Sequence, residues 1–353
     1  MIKNIIGNID FGESLRGKSA SFLLSMSNTR TANIEGITQA GIPGMIHLTP
    51  ILDSEFLCTG EVRSLENIAT TPKGVPTPAL ITRAVHMLKP FKSIELLNLG
   101  LEVTPKLEYF KIHDFDLKAS GNIENDAKID AMSIFKKGVE FGQNYECKSD
   151  YIILAESVPS GTTTATATAI ALGYDCEDMF SSSFKNNPKN IKKQVIENAL
   201  KNISEEDELF TKIGSVCDNM LIFNAGFILG ANNRDFKVVL AGGTQMACVL
   251  LVIDSILKQM DGSIDSSKIA LCTTKWVYED KNSDIKGLLE MLSFSVNAYY
   301  SGFDFSLSNH PALKLYDDGE AKEGVGAGAS LVYGSLNGLN QDSITKQVES
   351  FLG

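Results

Sequence analysis

The sequence contains no long hydrophobic run and no cluster of basic residues. Its longest apolar stretch, residues 247–256, is interrupted by Asp254 and is shorter than the roughly 18–20 residues that a membrane-spanning helix requires. The 43 Asp and Glu residues outnumber the 32 Lys and Arg residues, and the formal net charge of −11 at pH 7 disfavours contact with nucleic-acid phosphates. We therefore expect a soluble globular protein that binds neither membranes nor nucleic acids.

Patterns of cysteine and histidine that indicate disulfides or a metal site are absent as well. The six cysteines lie far apart with no Cys-x-x-Cys pair, and the four histidines have no His-x-His or His-Glu-x-x-His spacing. Several cysteines have apolar neighbours, which is typical of reduced, buried thiols. The first residues have neither the apolar region nor the cleavage site of a signal peptide. We expect a cytoplasmic protein without a zinc site.

What the sequence does contain is an alternation of short apolar runs with longer segments of helical period. The apolar runs predict strands buried on both faces, at residues 21–26, 94–99, 151–155, 238–241 and 269–273. The segments that predict helices are residues 78–88, 126–141, 164–172, 187–202, 207–231, 244–260 and 283–299. This alternation predicts an α/β fold with an open, mostly parallel sheet. We expect residues 1–353 to form a single unit, with an α/β core over approximately 20–335 and the terminal segments in a smaller lobe.

The most informative segment joins a predicted strand to a predicted helix through a polar turn. The strand at 151–155 is followed by Glu156 and then by the Ser-Gly-Thr-Thr-Thr sequence of residues 160–164. A helix N-terminus presents unpaired N–H groups and partial positive charge, and Gly161 allows close approach, a combination that favours phosphate. A plain Ser/Thr cap before a tightly packed helix is the alternative. The segment is not a Walker loop, because no Lys follows Gly161.

A second segment places one carboxylate beside several glycines. Glu323 precedes the Gly-Val-Gly-Ala-Gly sequence of residues 324–328, whose backbone a ligand can approach closely. A carboxylate there is a candidate general base. A solvated glycine turn is the more common explanation, and the rest of the chain is too short for the βαβ unit of a dinucleotide site.

Two weaker signals are a glycine pair and a lysine pair. Gly242 and Gly243 lie between a predicted strand and a predicted helix, where they suit a close-packed turn as well as a ligand contact. Lys192 and Lys193 lie in an otherwise amphipathic helix, where paired lysines usually form a solvated face. Neither signal predicts a function by itself.

Three of these segments, in this order, resemble the nicotinate-nucleotide–dimethylbenzimidazole phosphoribosyltransferase family, and most of all its divergent archaeal and bacterial branch. They are Glu-Ser-Val-Pro-Ser-Gly-Thr-Thr-Thr-Ala at 156–165, Ala-Gly-Gly-Thr-Gln-Met at 241–246 and Glu-Gly-Val-Gly-Ala-Gly-Ala at 323–329. The likeness covers most of residues 21–334.

The resemblance implies a transferase of cobalamin biosynthesis. In that family, phosphoribose passes from nicotinate mononucleotide to a benzimidazole, which gives an α-riboside 5′-phosphate and nicotinate. The resemblance also implies a Rossmann-like three-layer α/β domain with a small lobe, a homodimer, and no metal or separate cofactor. The implied partners are the substrates, nicotinate mononucleotide and an aromatic base.

Residue by residue, the resemblance implies two catalytic glutamates and a phosphate site. Glu323 matches the family's catalytic glutamate, which we expect to remove the N–H proton of the attacking base. Glu156 matches the carboxylate before the phosphate loop, which we expect near the ribose or the developing positive charge. The residues implied to bind phosphate or ribose are Ser160, Gly161, Thr162, Thr163, Lys192, Gly242, Gly243, Gly324 and Gly326.

Three departures from the family pattern concern this site. Ser160 stands where relatives often have Gly, which is tolerable if its φ is negative. Ala241 replaces an acidic residue, so a ribose contact must come from elsewhere. An early Asp-His-Gly turn has no copy here, and residues 27–29 occupy its place, which affects the base pocket more than the reaction.

Two other functions remain open. A phosphoribosyltransferase that uses pyrophosphate-activated ribose generally carries two adjacent acids on this strand, where only Glu156 is present, and needs magnesium. A non-catalytic protein that binds a nucleotide or a cobamide precursor is the other alternative, which the intact Glu156 and Glu323 disfavour. Dimethylbenzimidazole, another benzimidazole or adenine would each fit a flat apolar slot, for which residues 74–82 and 300–316 are candidates.

Overall fold

Eight strands form one sheet in the computed structural model of the protein, which describes residues 2–68 and 70–353. They are β1 (Ile2–Ile6), β2 (Ala20–Met26), β3 (Ser93–Asn98), β4 (Lys111–Asp114), β5 (Tyr151–Ser157), β6 (Lys237–Ala241), β7 (Ile269–Thr274) and β8 (Asn297–Ser301). Their spatial order is β1-β8-β7-β6-β5-β2-β3-β4, in which β1 runs antiparallel to β8 and all other neighbours are parallel. The predicted α/β fold with a mostly parallel sheet is confirmed.

The order of the strands reverses between β2 and β5. From β2 the chain adds β3 and β4 on one side, and from β5 it adds β6, β7 and β8 on the other. In open α/β sheets, ligands bind in the crevice outside the carboxyl ends of the strands at such a switch point. Glu156 lies in β5 one residue before its carboxyl end, so it belongs to this crevice.

The five apolar runs that predict strands are all confirmed, as β2, β3, β5, β6 and β7. All side chains of β2, β5 and β7 are buried, because elements pack against both faces of the parallel sheet. The sequence does not predict β1, β4 and β8, which lie at the two ends of the sheet and have fewer apolar residues. These three segments become strands because they pair with a neighbouring strand, and the periodicity of the sequence does not show such pairing.

Helices pack against the faces of the sheet. They are α1 (Ile9–Glu13), α2 (Thr49–Thr59), α3 (Ala79–Leu88), α4 (Ala131–Asn144), α5 (Gly161–Ala171), α6 (Lys189–Leu200), α7 (Leu209–Val216), α8 (Asn219–Ala231), α9 (Thr244–Met260), α10 (Lys275–Tyr278), α11 (Ile285–Glu290), α12 (Pro311–Asp317), α13 (Ala327–Leu336) and α14 (Gln341–Glu349). Within residues 2–68 and 70–353, none of these helices has the length and hydropathy that crossing a bilayer requires.

The helix predictions are confirmed for α3, α4, α5, α6 and α9. The single helix predicted at 207–231 is two helices, because Asp218 accepts a hydrogen bond from the Leu221 N–H and so caps a new helix, α8. The prediction at 283–299 is wrong in its second half. There the chain leaves α11 and forms β8, which pairs with both β7 and β1.

The division into an α/β core and a smaller terminal lobe stays a prediction. The N-terminal strand β1 extends the sheet beside β8, and the C-terminal helix α14 packs against α3. Both terminal segments contribute buried side chains, among them Phe11 and Val348, to the same apolar cluster as β2.

Four glycines bring α4 and α8 into close contact. A Cβ at Gly138 or Gly142 of α4 would overlap backbone atoms of α8, and a Cβ at Gly226 or Gly230 of α8 would overlap backbone atoms of α4. Backbone cannot yield as a flexible side chain does, so these positions exclude any larger residue. The contact belongs to the apolar cluster that covers one face of the sheet.

Gly226→Ala is expected to lower the free energy of unfolding by about 3 kcal/mol, because the added methyl group must push α4 away from α8. Denaturant unfolding followed by circular dichroism measures the change. Gly12→Ala is the matched control, since its Cβ would lie at an ordinary contact distance of 3.4 Å from the Tyr299 ring. Equal losses of stability in the two variants would contradict the explanation.

Candidate active site

A cleft opens at the carboxyl edge of the sheet, beside the switch point between β2 and β5. It encloses about 1040 Å³ of empty space, part of which is open solvent. Among the segments that form its walls are α2, the loops at 37–41, 70–78 and 181–183, and residues 156–162 and 320–325. The phosphate-loop candidate and the segment of Glu323 therefore open onto one cleft.

The turn between β5 and α5 presents a helix N-terminus to the cleft. Ser160, Gly161 and Thr162 line the cleft at the start of α5. Ser160 has a left-handed backbone (φ 65°, ψ 8°), so the condition of a negative φ is not met, and glycine would adopt this conformation at lower cost. The Ser160 side chain makes no capping hydrogen bond to α5. The helix N-terminus thus keeps its partial positive charge without a side-chain cap.

Gly161 packs closely against the Gln245 side chain of α9. A Cβ at this position would overlap the side-chain amide of Gln245. Gln245 also lines the cleft, and its Nε2 donates a hydrogen bond of 3.4 Å to Oε2 of Glu156. The close approach that Gly161 allows is therefore made, in this structure, by a side chain of the protein.

Lys192 lies under the phosphate-loop candidate. Its side chain is buried, and Nζ donates hydrogen bonds to Thr162 Oγ1 at 2.9 Å and to the Ser181 carbonyl at 3.0 Å. Burial lowers the pKa of Lys192 to about 7, and the nearby Lys322 lowers it further than Asp280 raises it. The adjacent Lys193 is exposed and lies 3.5 Å from the carboxylate of Glu177. Of the two lysines, Lys192 is the one that contacts a residue of the cleft.

A second buried lysine lies close to the first. Lys322 lines the cleft, and its Nζ contacts Asp280 Oδ2 at 2.6 Å and the Phe184 carbonyl at 2.9 Å. Asp280 also accepts a hydrogen bond of 3.0 Å from the Ser181 hydroxyl. Asp280 pairs with Lys322, and Lys192 has no described carboxylate within ion-pair distance, so positive charge exceeds negative charge at this end of the cleft. An anion such as phosphate offsets a buried positive charge of this kind.

Glu323 lies at the mouth of the glycine turn and is held by backbone donors. Oε2 accepts from the Thr274 N–H at 2.9 Å and the Thr273 hydroxyl at 3.3 Å. Oε1 accepts from the N–H groups of Gly328 at 3.0 Å and Gly324 at 3.3 Å. Removal from water raises the pKa of Glu323 to about 7, and these donors oppose the rise. A carboxylate with such a pKa is suited to take a proton at neutral pH.

Glu156 is the second carboxylate of the cleft and has fewer donors. Its Oε2 accepts from the Val158 N–H at 3.1 Å and from Gln245 at 3.4 Å. Burial raises the pKa of Glu156 to about 8, and the negative charge of Glu323 is the second largest contribution to that rise. Because Glu323 has the stronger set of donors, it ionises first, and Glu156 keeps its proton at neutral pH.

The glycine pair after β6 lies beside the side chains of both carboxylates. A Cβ at Gly242 would lie 3.8 Å from Cγ of Glu156, and one at Gly243 would lie 3.8 Å from Cβ of Glu323. The backbone also joins the two segments, since the Val325 N–H donates to the Glu156 carbonyl at 2.9 Å. Segments more than 150 residues apart in the sequence thus meet within hydrogen-bonding distance.

Four of the residues predicted to bind phosphate or ribose lie behind the surface of the cleft, and Lys192, which contacts Thr162, is one of them. Thr163 is buried in the first turn of α5, Gly242 lies under Glu156, and Gly326 is packed where a Cβ would crowd the Phe22 ring. Gly324 lines the cleft and has a φ of 143°, which favours glycine. For Thr163, Gly242 and Gly326 the structure gives a packing role.

Sequence reasoning missed several residues of the cleft. Lys322 is adjacent in sequence to the predicted base, Glu323, and that position could have indicated it. Asp53 lies in α2, a helix that no sequence pattern predicted. Of the candidate base-slot segments, residues 75–78 line the cleft, but none of the residues 300–316 does. Tyr316 instead packs behind the slot, where its hydroxyl donates to the Pro76 carbonyl.

No protein-family model matches the chain. Among curated proteins, the UPF0284 protein of Saccharolobus solfataricus is 34% identical over 343 residues, which cover 94% of this chain and 92% of that protein. The UPF0284 protein of Sulfurisphaera tokodaii is 34% identical over 351 residues, which cover 99% of this chain and 96% of that protein.

Solved structures share the fold at low sequence identity. The nicotinate-nucleotide–dimethylbenzimidazole phosphoribosyltransferase of Thermus thermophilus is 14% identical with a TM-score of 0.58, covering 94% of this chain and 83% of that one. A second structure, CobT of the same organism, is 13% identical with a TM-score of 0.57, covering 94% and 84%. The resemblance inferred from the three segments, including the divergence of the branch, is confirmed. At these identities the likeness to solved structures shows the fold.

Proposed function

The chain belongs to the UPF0284 protein family, and we propose that it transfers phosphoribose from nicotinate mononucleotide to a benzimidazole-type or purine base. The products are an α-riboside 5′-phosphate, which supplies the lower ligand of a cobamide, and nicotinate. The observation that carries this proposal is that a helix N-terminus and a pair of carboxylates open onto one cleft, and that a buried lysine contacts Thr162 at that N-terminus. The fold is the one that phosphoribosyltransferases of this type have.

The positive end of the cleft suits the 5′-phosphate of the nucleotide. The N-terminus of α5, the hydroxyl of Thr162 and the ammonium of Lys192 are adjacent there. The ammonium is buried, and no carboxylate in the part of the chain that the structure describes lies within ion-pair distance of it, so a bound phosphate dianion would relieve its desolvation. Fixing the phosphate places the ribose next to the carboxylates.

The chemistry needs one base and no strong acid. The bond from C1′ to the pyridinium nitrogen breaks, and its electron pair neutralises the positive ring, so nicotinate leaves without protonation. A ring nitrogen of the incoming base bonds to C1′ from the opposite side, which inverts β to α. Glu323 takes the proton from the other ring nitrogen and so prevents positive charge from building up. Its two contacts of 3.3 Å are weak enough to yield to that N–H.

Glu156 serves the sugar in this scheme. Since it keeps its proton at neutral pH, it donates a hydrogen bond through the oxygen that Val158 and Gln245 do not use. A ribose hydroxyl accepts this hydrogen bond when the phosphate is bound at the N-terminus of α5. Glu156 thereby replaces the acidic residue that is Ala241 in this chain.

The pH dependence of the reaction follows from three groups of the site with displaced pKa values. Activity is expected to rise with pH as Glu323, whose pKa is raised to about 7, loses its proton. The kcat/KM for the nucleotide is expected to fall again as Lys192, whose pKa is lowered to about 7, loses its charge. At saturating nucleotide the phosphate keeps Lys192 charged, so kcat retains its acid limb and falls only at higher pH, as Glu156, whose pKa is raised to about 8, loses the proton that it donates. Steady-state rates across pH measure both profiles, and a kcat without an acid limb would contradict Glu323 as the base.

The reaction itself is tested by mixing the purified protein with nicotinate mononucleotide and one base at a time. Equal amounts of nicotinate and riboside phosphate are expected, measured by chromatography and mass spectrometry. Binding of the nucleotide without release of nicotinate would instead indicate a non-catalytic binding protein. Product formed only from phosphoribosyl pyrophosphate, and lost when a chelator is added, would indicate the magnesium-dependent class.

A further inference from the structure

One end of the cleft carries polar groups on α2 that the transfer reaction does not use. Thr49 and Asp53 lie one helical turn apart, which puts them on the same face of α2, and both line the cleft. Both are almost completely buried, with 8% and 4% of their surfaces exposed. Apolar side chains also line the cleft, among them Ile37, Val75 and Pro76.

Asp53 is a buried carboxylate that has only neutral partners. Its Oδ1 accepts from the Thr77 hydroxyl at 2.6 Å and its Oδ2 from the Ser157 hydroxyl at 2.7 Å. No lysine, arginine or histidine among the described residues lies within ion-pair distance of it. A carboxylate oxygen accepts about two hydrogen bonds, so each oxygen retains capacity for one more donor. Burial raises the pKa of Asp53 to about 6, which still leaves it mainly ionised at neutral pH.

The Thr49 hydroxyl adds a second unused group. Its Oγ1 is buried and has no hydrogen-bond partner within residues 2–68 and 70–353. Buried hydroxyls are normally paired, so an unpaired one that lines a cleft indicates a ligand contact. The two observations are independent, since one concerns a charge and the other a neutral hydroxyl on a different turn.

These groups adjoin the place where the attacking base must lie. A Cβ at Gly324, the residue after the proposed general base, would lie 3.6 Å from the ring of Pro78. Pro78 follows Thr77, whose hydroxyl donates to Asp53. The slot between Glu323 and α2 is therefore bounded by the 75–78 loop, and the hydrogen bond from Ser157 places Asp53 beside the segment of Glu156.

We propose that Thr49 and Asp53 select a base whose ring carries a hydrogen-bond donor, an amino or hydroxyl group, on the edge remote from the reacting nitrogens. The inference rests on the proposed function and names the class of its second substrate. An amino or hydroxyl group donates to Asp53 and satisfies Thr49, whereas a methyl group leaves both desolvated and unpaired. If Asp53 served only to hold α2 against β5, it would not need a charge, because an asparagine amide also forms hydrogen bonds with two hydroxyls.

Competition between paired bases tests this selection in the wild-type protein. With saturating nicotinate mononucleotide, 5-hydroxybenzimidazole is paired with 5-methylbenzimidazole, and adenine with unsubstituted purine, and product masses give each ratio. The donor-bearing base is expected to be favoured at least about tenfold in each pair, as for a hydrogen bond to a charged group. Equal use of the paired bases, or preference for the methyl compound, would overturn the proposal.

Variants of the two residues separate selection from stability. Asp53→Asn keeps the shape and both hydroxyl contacts, and it is expected to lower the hydroxyl-to-methyl ratio about tenfold while the KM for nicotinate mononucleotide stays unchanged. Thr49→Val removes no hydrogen bond within residues 2–68 and 70–353 and is expected to lower the ratio severalfold. Thr345→Val is the matched control, because its hydroxyl is also buried and unpartnered among the described residues but lies in α14. An unchanged ratio in both Asp53→Asn and Thr49→Val would sink the assignment.

The two proposals fail in different ways. If no base releases nicotinate, the transferase proposal fails, and the affinities of the paired bases for the wild-type and Thr49→Val proteins, measured by calorimetry, then decide the selection. If nicotinate is released but the paired bases are used equally, the reaction stands and the role of Thr49 and Asp53 falls. Because each ratio comes from one protein sample, partial misfolding of a variant does not change it.

Discussion

Glu323→Gln is expected to lower kcat by about 10³-fold or more, while affinity for nicotinate mononucleotide stays within a factor of about three. The amide has the shape of the carboxylate and retains an oxygen for the N–H groups of the glycine turn, but it cannot take a proton from the attacking base. Nicotinate release gives the rate, and isothermal calorimetry with the nucleotide alone gives the affinity.

A surface glutamate provides the control for this substitution. Glu290→Gln in α11 removes an exposed carboxylate that pairs with Lys286, and it is expected to leave both measurements unchanged. Turnover at the wild-type rate in Glu323→Gln would remove Glu323 as the base. Loss of nucleotide binding in that variant would mean instead that the carboxylate holds the glycine turn in place.

Lys192→Met is expected to raise the KM for nicotinate mononucleotide about 100-fold, because it removes a charge-assisted contact to the phosphate and leaves the Thr162 hydroxyl without its donor. Methionine fills most of the space of the lysine stem, so the packing around α6 is retained. Initial rates over a range of nucleotide concentrations separate KM from kcat. Nicotinate riboside, which lacks the phosphate, is expected to react equally poorly with both proteins.

The neighbouring lysine is the matched control for Lys192. Lys193→Met changes the same charge on the same helix, but its side chain is exposed and contacts Glu177. It is expected to leave KM unchanged. Similar increases in the two variants would show that the effect comes from the overall charge of α6 and not from a contact with phosphate.

Much of the fold follows from local pattern. The buried strands of a parallel sheet must be continuously apolar, so β2, β3, β5, β6 and β7 are visible as short runs before any contact is known. Helix α9 is predicted at its observed bounds because its apolar face repeats over many residues. Strand β8 escapes prediction because its two tyrosines continue a helical pattern and only pairing with β7 and β1 makes them a strand.

Some residues of the candidate site are likewise indicated by local pattern, and others are decided by packing. Glu156, the start of α5 and Glu323 are signalled because each adjoins a strand end or a glycine turn, and the fold brings them to one cleft. Local pattern does not distinguish Lys192, which only the family resemblance singled out, from Lys193, since adjacent lysines look alike in sequence and packing buries one of them. The φ of Ser160 is likewise set by the turn that joins β5 to α5. The catalytic and binding roles of all these residues stay predictions until the variants are measured.

By itself, the sequence determined the α/β class, the parallel sheet and the two candidate functional segments. Strands buried on both faces leave a periodic signal, and the start of a helix leaves a local one. The tertiary structure alone decided what surrounds each group. Asp53 and Ser157 are 104 residues apart, yet a 2.7 Å hydrogen bond joins them at the wall of the cleft. Contacts of that separation arise from the packing of whole elements, so the charge that we expect to select the base has no trace in the local pattern around it.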